Sequence, residues 1–126
     1  MANKKIKILL VEDDPFLLSM YATKFETENF EVIAAEDGDK GLKLAAQELP
    51  NIILLDILLP KKDGFEVLKG LKGNKITHNI PVILLTNLSQ KNEIEQGLSM
   101  GAEDYLIKAH FMPAEVVEKI KKVLGK

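Results

Sequence analysis

Glu12, Asp13 and Asp14, the carboxylate of Asp56, the hydroxyl of Thr86 and the ammonium of Lys108 could do chemistry together. Each group closes a short apolar run, and a charged or hydroxyl residue at such a position is delivered to the edge of whatever sheet the runs build. Carboxylates gathered at one edge repel one another and call for a cation. An all-oxygen ligand set suits magnesium or manganese and not zinc. With a cation beside it, Asp56 is placed to attack a phosphoryl group in line, as carboxylate nucleophiles do. Lys108 would neutralise a second side of that group, and Thr86 would donate a hydrogen bond to a third oxygen. The product would be an acyl phosphate, a species suited to a transient signal.

The elements that must position these groups are legible from periodicity. Apolar, β-branched or Leu-rich runs at 6–11, 30–35, 52–56, 81–86 and 104–108 read as strands. Between them lie helical patterns over about 15–28, 40–48, 64–71 and 90–100, and a last helix runs over 113–124. Asp14 before Pro15 reads as an N-cap followed by a first helical position. Asn29 and Gly73-Asn74 read as stops, and Asp63 as a turn or cap residue. Leu42, Ala45, Ala46 and Leu49 form the inward stripe of the second helix. The fourth helix offers only Ile94, Leu98 and Met100. Strands alternating with helices imply a parallel sheet with right-handed crossovers and helices on both faces. In such sheets the working site lies outside the carboxyl ends of the strands, where strand order reverses.

The 126 residues fit one domain with its own core. Without cysteine there is neither a disulfide framework nor a thiolate metal site. A net charge of -2 gives no general attraction to nucleic acid. No long apolar segment follows Lys4, Lys5 and Lys7, so neither a signal peptide nor a membrane span is expected, and the expected location is the cytoplasm. Neither a G-x-x-x-x-G-K-[ST] nor a G-x-G-x-x-G motif occurs, and acids directly after the first strand would repel a phosphate that had no metal.

The chain resembles a response regulator receiver domain of two-component signalling over about 6–124. Glu12-Asp13-Asp14 resembles the family's acidic cluster. The stretch from Asp56 through Pro60 to Asp63-Gly64 matches its phosphoacceptor loop D-x-x-x-P-x-x-D/N-G, and Gly101-Ala102-Glu103-Asp104-Tyr105-Leu106 resembles its G-A-x-D-Y-L segment. The resemblance implies a flavodoxin-like (βα)5 fold, doubly wound, with strand order 2-1-3-4-5. It also implies that Asp56 is the phosphoacceptor, assisted by Lys108 and Thr86. Magnesium, with manganese an alternative, would be held by Asp13, Asp56 and the backbone carbonyl of Leu58, with Glu12 one step outside. Thr86 and Tyr105 would form the switch.

A sensor histidine kinase or histidine phosphotransfer protein is the implied donor. The implied readout surface comprises the helix over 90–100, the strand over 104–108 and the helix over 113–124, with no direct nucleic acid or membrane contact. Residues 1–126 would be the receiver alone, without an effector domain, and not an enzyme beyond its own phosphorylation and slow dephosphorylation. Ala109 departs from the proline that usually follows the family's lysine, and Asn87 from the small residue that usually follows its hydroxyl. The bond after Lys108 is therefore expected to be trans. Leu58 and Leu88 would flank the phosphoryl group without orienting water. His78 and His110 read as structural or solvent-facing and neither as the phosphodonor, and Lys119, Lys121, Lys122 and Lys126 as a solvated helix end. The nearest rival is an interaction module of the same fold that is never phosphorylated.

Overall fold

Strands that are apolar on both faces can be buried only between two layers of helices, and that is how the chain folds. The computed structural model describes residues 5–59, 62–86, 91–107 and 113–125. Strands and helices alternate as β1 (Lys7–Val11), α1 (Pro15–Thr27), β2 (Glu31–Ala35), α2 (Gly38–Glu48), β3 (Ile52–Asp56), α3 (Gly64–Lys72), β4 (Val82–Thr86), α4 (Lys91–Ser99), β5 (Asp104–Ile107) and α5 (Pro113–Val123). The sheet order is β2-β1-β3-β4-β5, and each neighbouring pair is parallel. Strand order therefore reverses between β1 and β3. The expected doubly wound fold is the observed one.

Two cores flank the sheet, and alternation along the strands sorts their residues. Ile8 and Leu10 of β1, Ile52 and Leu54 of β3, and Ile83 and Leu85 of β4 pack with Tyr21 and Phe25 of α1 and Val116, Val117 and Ile120 of α5. On the other face Leu9, Val11, Ile53, Leu55, Val82 and Leu84 pack with Ala45 of α2 and Val67, Leu68 and Leu71 of α3. Every residue of β3 and β4 is buried.

Helix starts follow the expected capping chemistry. The Asp14 carboxylate accepts from the backbone N–H groups of Phe16 (2.9 Å) and Leu17 (3.3 Å). Asp63 and Glu66 form a reciprocal capping box at the head of α3. Asn29 ends α1 with φ at 68°.

Three expectations need correction. Leu49 is not part of the inward stripe of α2: it caps the helix in a left-handed conformation (φ 47°) and is 55% exposed. Leu98 does not anchor α4 either, being exposed. Its place is taken by Gly97, where an added Cβ would run into Leu84 Cδ1 of β4, so α4 is anchored by close backbone approach at Gly97 together with the buried Ile94. Lys119 is not a solvated residue: it is half-buried between Asp104 and Tyr105. Of the two readings of His78, structural or solvent-facing, the exposed side chain favours the second. Lys108, Ala109 and His110 lie outside the described residues, as do Pro60, Asn87, Leu88 and Gln90.

Gly64 ties α3 to the end of β3. Its N–H donates to the Ile57 carbonyl at 2.7 Å, and an added Cβ would lie 2.5 Å from both the Asp56 carbonyl oxygen and Ile57 Cα. These are backbone atoms that cannot rotate away. Gly64→Ala is expected to lower stability by about 1–3 kcal/mol, as overpacking does, despite the better helix propensity of alanine. Chemical denaturation measures the loss, and an unchanged midpoint would show that the loop yields.

Candidate functional site

β1 and β3 are neighbours in register, with Leu10 opposite Leu54 and Val11 opposite Leu55. One further step along each strand sets Glu12 beside Asp56. Alternation places both on the face of Ile8, Leu10, Ile52 and Leu54, which is the α1/α5 side. The extended path of β1 continues to Glu12, whose N–H donates to the Ala35 carbonyl at 3.0 Å. Both carboxylates are buried, Glu12 at 0% and Asp56 at 3% exposure, whereas Asp13 is exposed at the mouth. One carboxylate oxygen from each of Glu12, Asp13 and Asp56 lies within 4.8 Å of the others. The sequence-predicted acids therefore converge.

The local hydrogen bonds aim these groups. Glu12 Oε2 accepts from the Asp14 N–H at 3.0 Å, and Asp56 Oδ1 accepts from the Leu58 N–H at 3.1 Å. Asp14 is occupied as the cap of α1, so it closes the loop rather than joining the cluster. Leu58 is 55% exposed beside Asp56. The donor set of three carboxylates, two of them buried at a strand edge, fits a hard divalent cation, which takes oxygen ligands and offsets their repulsion. Two unit charges 4.8 Å apart repel by about 3.5 kcal/mol at an effective dielectric of about 20.

Thr86 is buried at the end of β4, where alternation groups it with Val82 and Leu84 on the α2/α3 side. Tyr105 packs against that same core, with Leu84 as its register partner, while Thr86 pairs with Ile107. Hydroxyl and aromatic thus share a face, opposite to the one carrying Glu12 and Asp56. Lys119 of α5 stands over the Tyr105 ring at 5.4 Å from its centroid. Its ammonium donates to the Tyr105 carbonyl at 2.9 Å and to Asp104 Oδ1 at 3.3 Å.

Tyr21 of α1 lies close in sequence to the acids. It is 1% exposed on the α1 side, and burial pushes its phenol well above the ordinary tyrosine range, with the charges of Glu12 and then Asp56 raising it further. A tyrosine among the apolar positions of the helix that follows the acids was the available signal.

The family model for the response regulator receiver domain matches residues 8–121. This chain belongs to that family. Among curated proteins it is 40% identical over 117 residues to the DNA-binding dual master transcriptional regulator RpaA of Synechocystis sp., covering 93% of this chain and 47% of that protein. The chain spans about half the length of that relative. Two solved receiver folds superpose closely. One is a Chloroflexus aurantiacus protein described as a response regulator, with a TM-score of 0.91 and 30% identity, covering 98% of this chain and 100% of that one. The other is the receiver domain of the sensor histidine kinase PA1611 of Pseudomonas aeruginosa, which holds a magnesium ion in its active-site cleft. It matches with a TM-score of 0.88 and 27% identity over 98% of this chain and 100% of that one. Residues 8–121 thus form a receiver domain of the two-component response regulators. No described helix is long and apolar enough to cross a membrane.

Like-charge crowding has a consequence for stability. In magnesium-free buffer, Asp56→Asn keeps the acceptor used by Leu58 and removes one charge, so its melting temperature is expected to rise by several degrees, the equivalent of about 1 kcal/mol or more. A melting temperature equal to that of the wild type in a calorimetric scan would mean that the acids do not strain the fold.

Proposed function

We propose that this receiver accepts a phosphoryl group on Asp56 in a magnesium-dependent reaction and changes a partner-binding face in response. The observation that carries this reading is the convergence of Glu12, Asp13 and Asp56 at the point where strand order reverses. Asp13, Asp56 and the Leu58 carbonyl would hold the ion, with Glu12 one step outside, and manganese would serve in its place. The bound ion supplies charge neutralisation at the phosphoryl oxygens.

The rest is done by the chain. An Asp56 carboxylate oxygen forms the new O–P bond while the P–N bond to the donor's imidazole breaks, its electron pair returning to the ring. Lys108 balances charge on a phosphoryl oxygen, and Thr86 donates to another. The donor is a sensor histidine kinase or a histidine phosphotransfer protein. Movement of Thr86 toward the phosphoryl group would draw on the Tyr105 position two residues along the same face, with α4, β5 and α5 as the readout surface. Residues 1–126 act as one receiver unit, in the cytoplasm, catalysing only their own phosphorylation and slow loss of phosphate.

Incubation with a small-molecule phosphodonor followed by intact mass measurement tests the reading. The wild type should gain one phosphoryl mass with magnesium and none without it, and Asp56→Asn should gain none. Absence of any gain in the wild type would favour a module of the same fold that works without phosphorylation.

The exposed side chain of Leu58 beside Asp56 can exclude an attacking water but cannot orient one. A polar replacement, Leu58→Asn, is therefore expected to shorten the phosphoryl lifetime severalfold, because its amide can hydrogen-bond and orient an attacking water. A lifetime unchanged in Leu58→Asn would remove water exclusion as its cause.

A further inference from the structure

Tyr105 lies on β5, the outermost strand of the described sheet beside β4. Its backbone polar groups are met there by side chains. The N–H donates to Asp104 Oδ1 at 2.8 Å, and the carbonyl accepts from Lys119 Nζ at 2.9 Å. The same Asp104 oxygen accepts from Lys119 at 3.3 Å, which closes a ring of contacts around one residue. Neither charged partner is freely solvated, the side chains of Lys119 and Asp104 being 30% and 28% exposed.

These two anchors fix the ammonium of Lys119 against the backbone of β5, and from there it stands 5.4 Å from the centroid of the Tyr105 ring. A cation over an aromatic face is attracted by the ring quadrupole, more strongly as water is excluded. The ring is half-buried and packs on the α2/α3 core, so the side chain of Lys119 reaches over the rim from α5 to meet it. An ammonium held at the backbone does not follow a moving ring. Any turn of Tyr105 that withdraws its face therefore forfeits the contact, while the hydrogen bonds to Asp104 and to the carbonyl stay behind.

We propose that Lys119 is a positioning residue for Tyr105, a latch that holds the ring at the rim in the receiver without a phosphoryl group and opposes its displacement on phosphorylation. The inference rests on the switch reading above, and the test separates the two. A contact present in only one of two states biases their equilibrium, and a ligand that prefers the other state then binds more weakly by the same factor.

Titration of the full chain with beryllofluoride and magnesium, a reversible mimic of the phosphoryl group, decides it. Tyr105 is one of two tyrosines, so ring-labelled tyrosine gives two NMR signals, which Tyr21→Phe assigns, and circular dichroism confirms that each variant is folded. In the wild type the Tyr105 signal should move as the mimic binds. Lys119→Met keeps the stem and removes the charge; without the mimic its Tyr105 signal should already lie displaced toward the bound position, and the mimic should bind about fivefold more tightly, the scale of one partly shielded cation–ring contact. Lys119→Gln should do the same, and Lys119→Arg, which restores a cation over the ring, should return both readouts to within about twofold of wild type. Lys24→Met removes an equal charge and an ion pair of 3.1 Å from α1, and should leave both unchanged. Affinity within about twofold of wild type in Lys119→Met and Lys119→Gln would overturn the latch, as would weaker binding, or an equal gain in Lys24→Met. A wild type that binds the mimic with no movement of the Tyr105 signal would overturn the switch reading itself, and the inference with it.

Discussion

Mutual repulsion of carboxylates at the carboxyl edge of the sheet is the constraint to which the rest of this structure answers. Glu12 and Asp56 are buried and ordered side by side because β1 and β3 are adjacent and in register. A buried carboxylate is costly unless its charge is met by hydrogen bonds or an opposite charge. Backbone N–H groups of Asp14 and Leu58 meet part of that cost, and the loops that supply them are stiffened in turn by the caps of α1 and α3. Among the described residues the fold thus gathers three carboxylates at one place, and a divalent cation is the chemical complement to them.

The apolar body of the domain allows this concentration of charge. β3 and β4 are buried from end to end, with two separate cores pressed on their faces. Backbone precision matters as much as side-chain burial: α3 can start close behind Asp56 only because Gly64 has no side chain, and α4 approaches β4 through Gly97.

Much of this was legible in the residues themselves. β3 was readable to the residue, because a strand covered on both faces is an unbroken apolar run and Asp56 marks its end. Helix starts were readable because Asp14 and Asp63 are cap residues followed by helical pattern. The failures have physical causes too. Periodicity gives the face of a residue within a helix but carries no information on the φ of the residue that ends it, so Leu49 was assigned inward. Leu98 has the right letter and spacing, but a glycine one position earlier makes the contact. Lys119 reads as solvent-facing by charge, whereas its long stem lets the ammonium settle over an aromatic ring.

The sheet is also a partition. By alternation Glu12 and Asp56 continue the α1/α5 face and Thr86 and Tyr105 the α2/α3 face, while Asp56 and Thr86 close neighbouring strands at the same edge of the sheet. At the margin of the described sheet lies β5, a strand of four half-buried residues. There Lys119, rooted in the helix of one side, clasps the ring and carbonyl of Tyr105, whose side chain belongs to the other. One side chain thus joins the Tyr105 ring of one face to the helix of the other at the rim of the sheet.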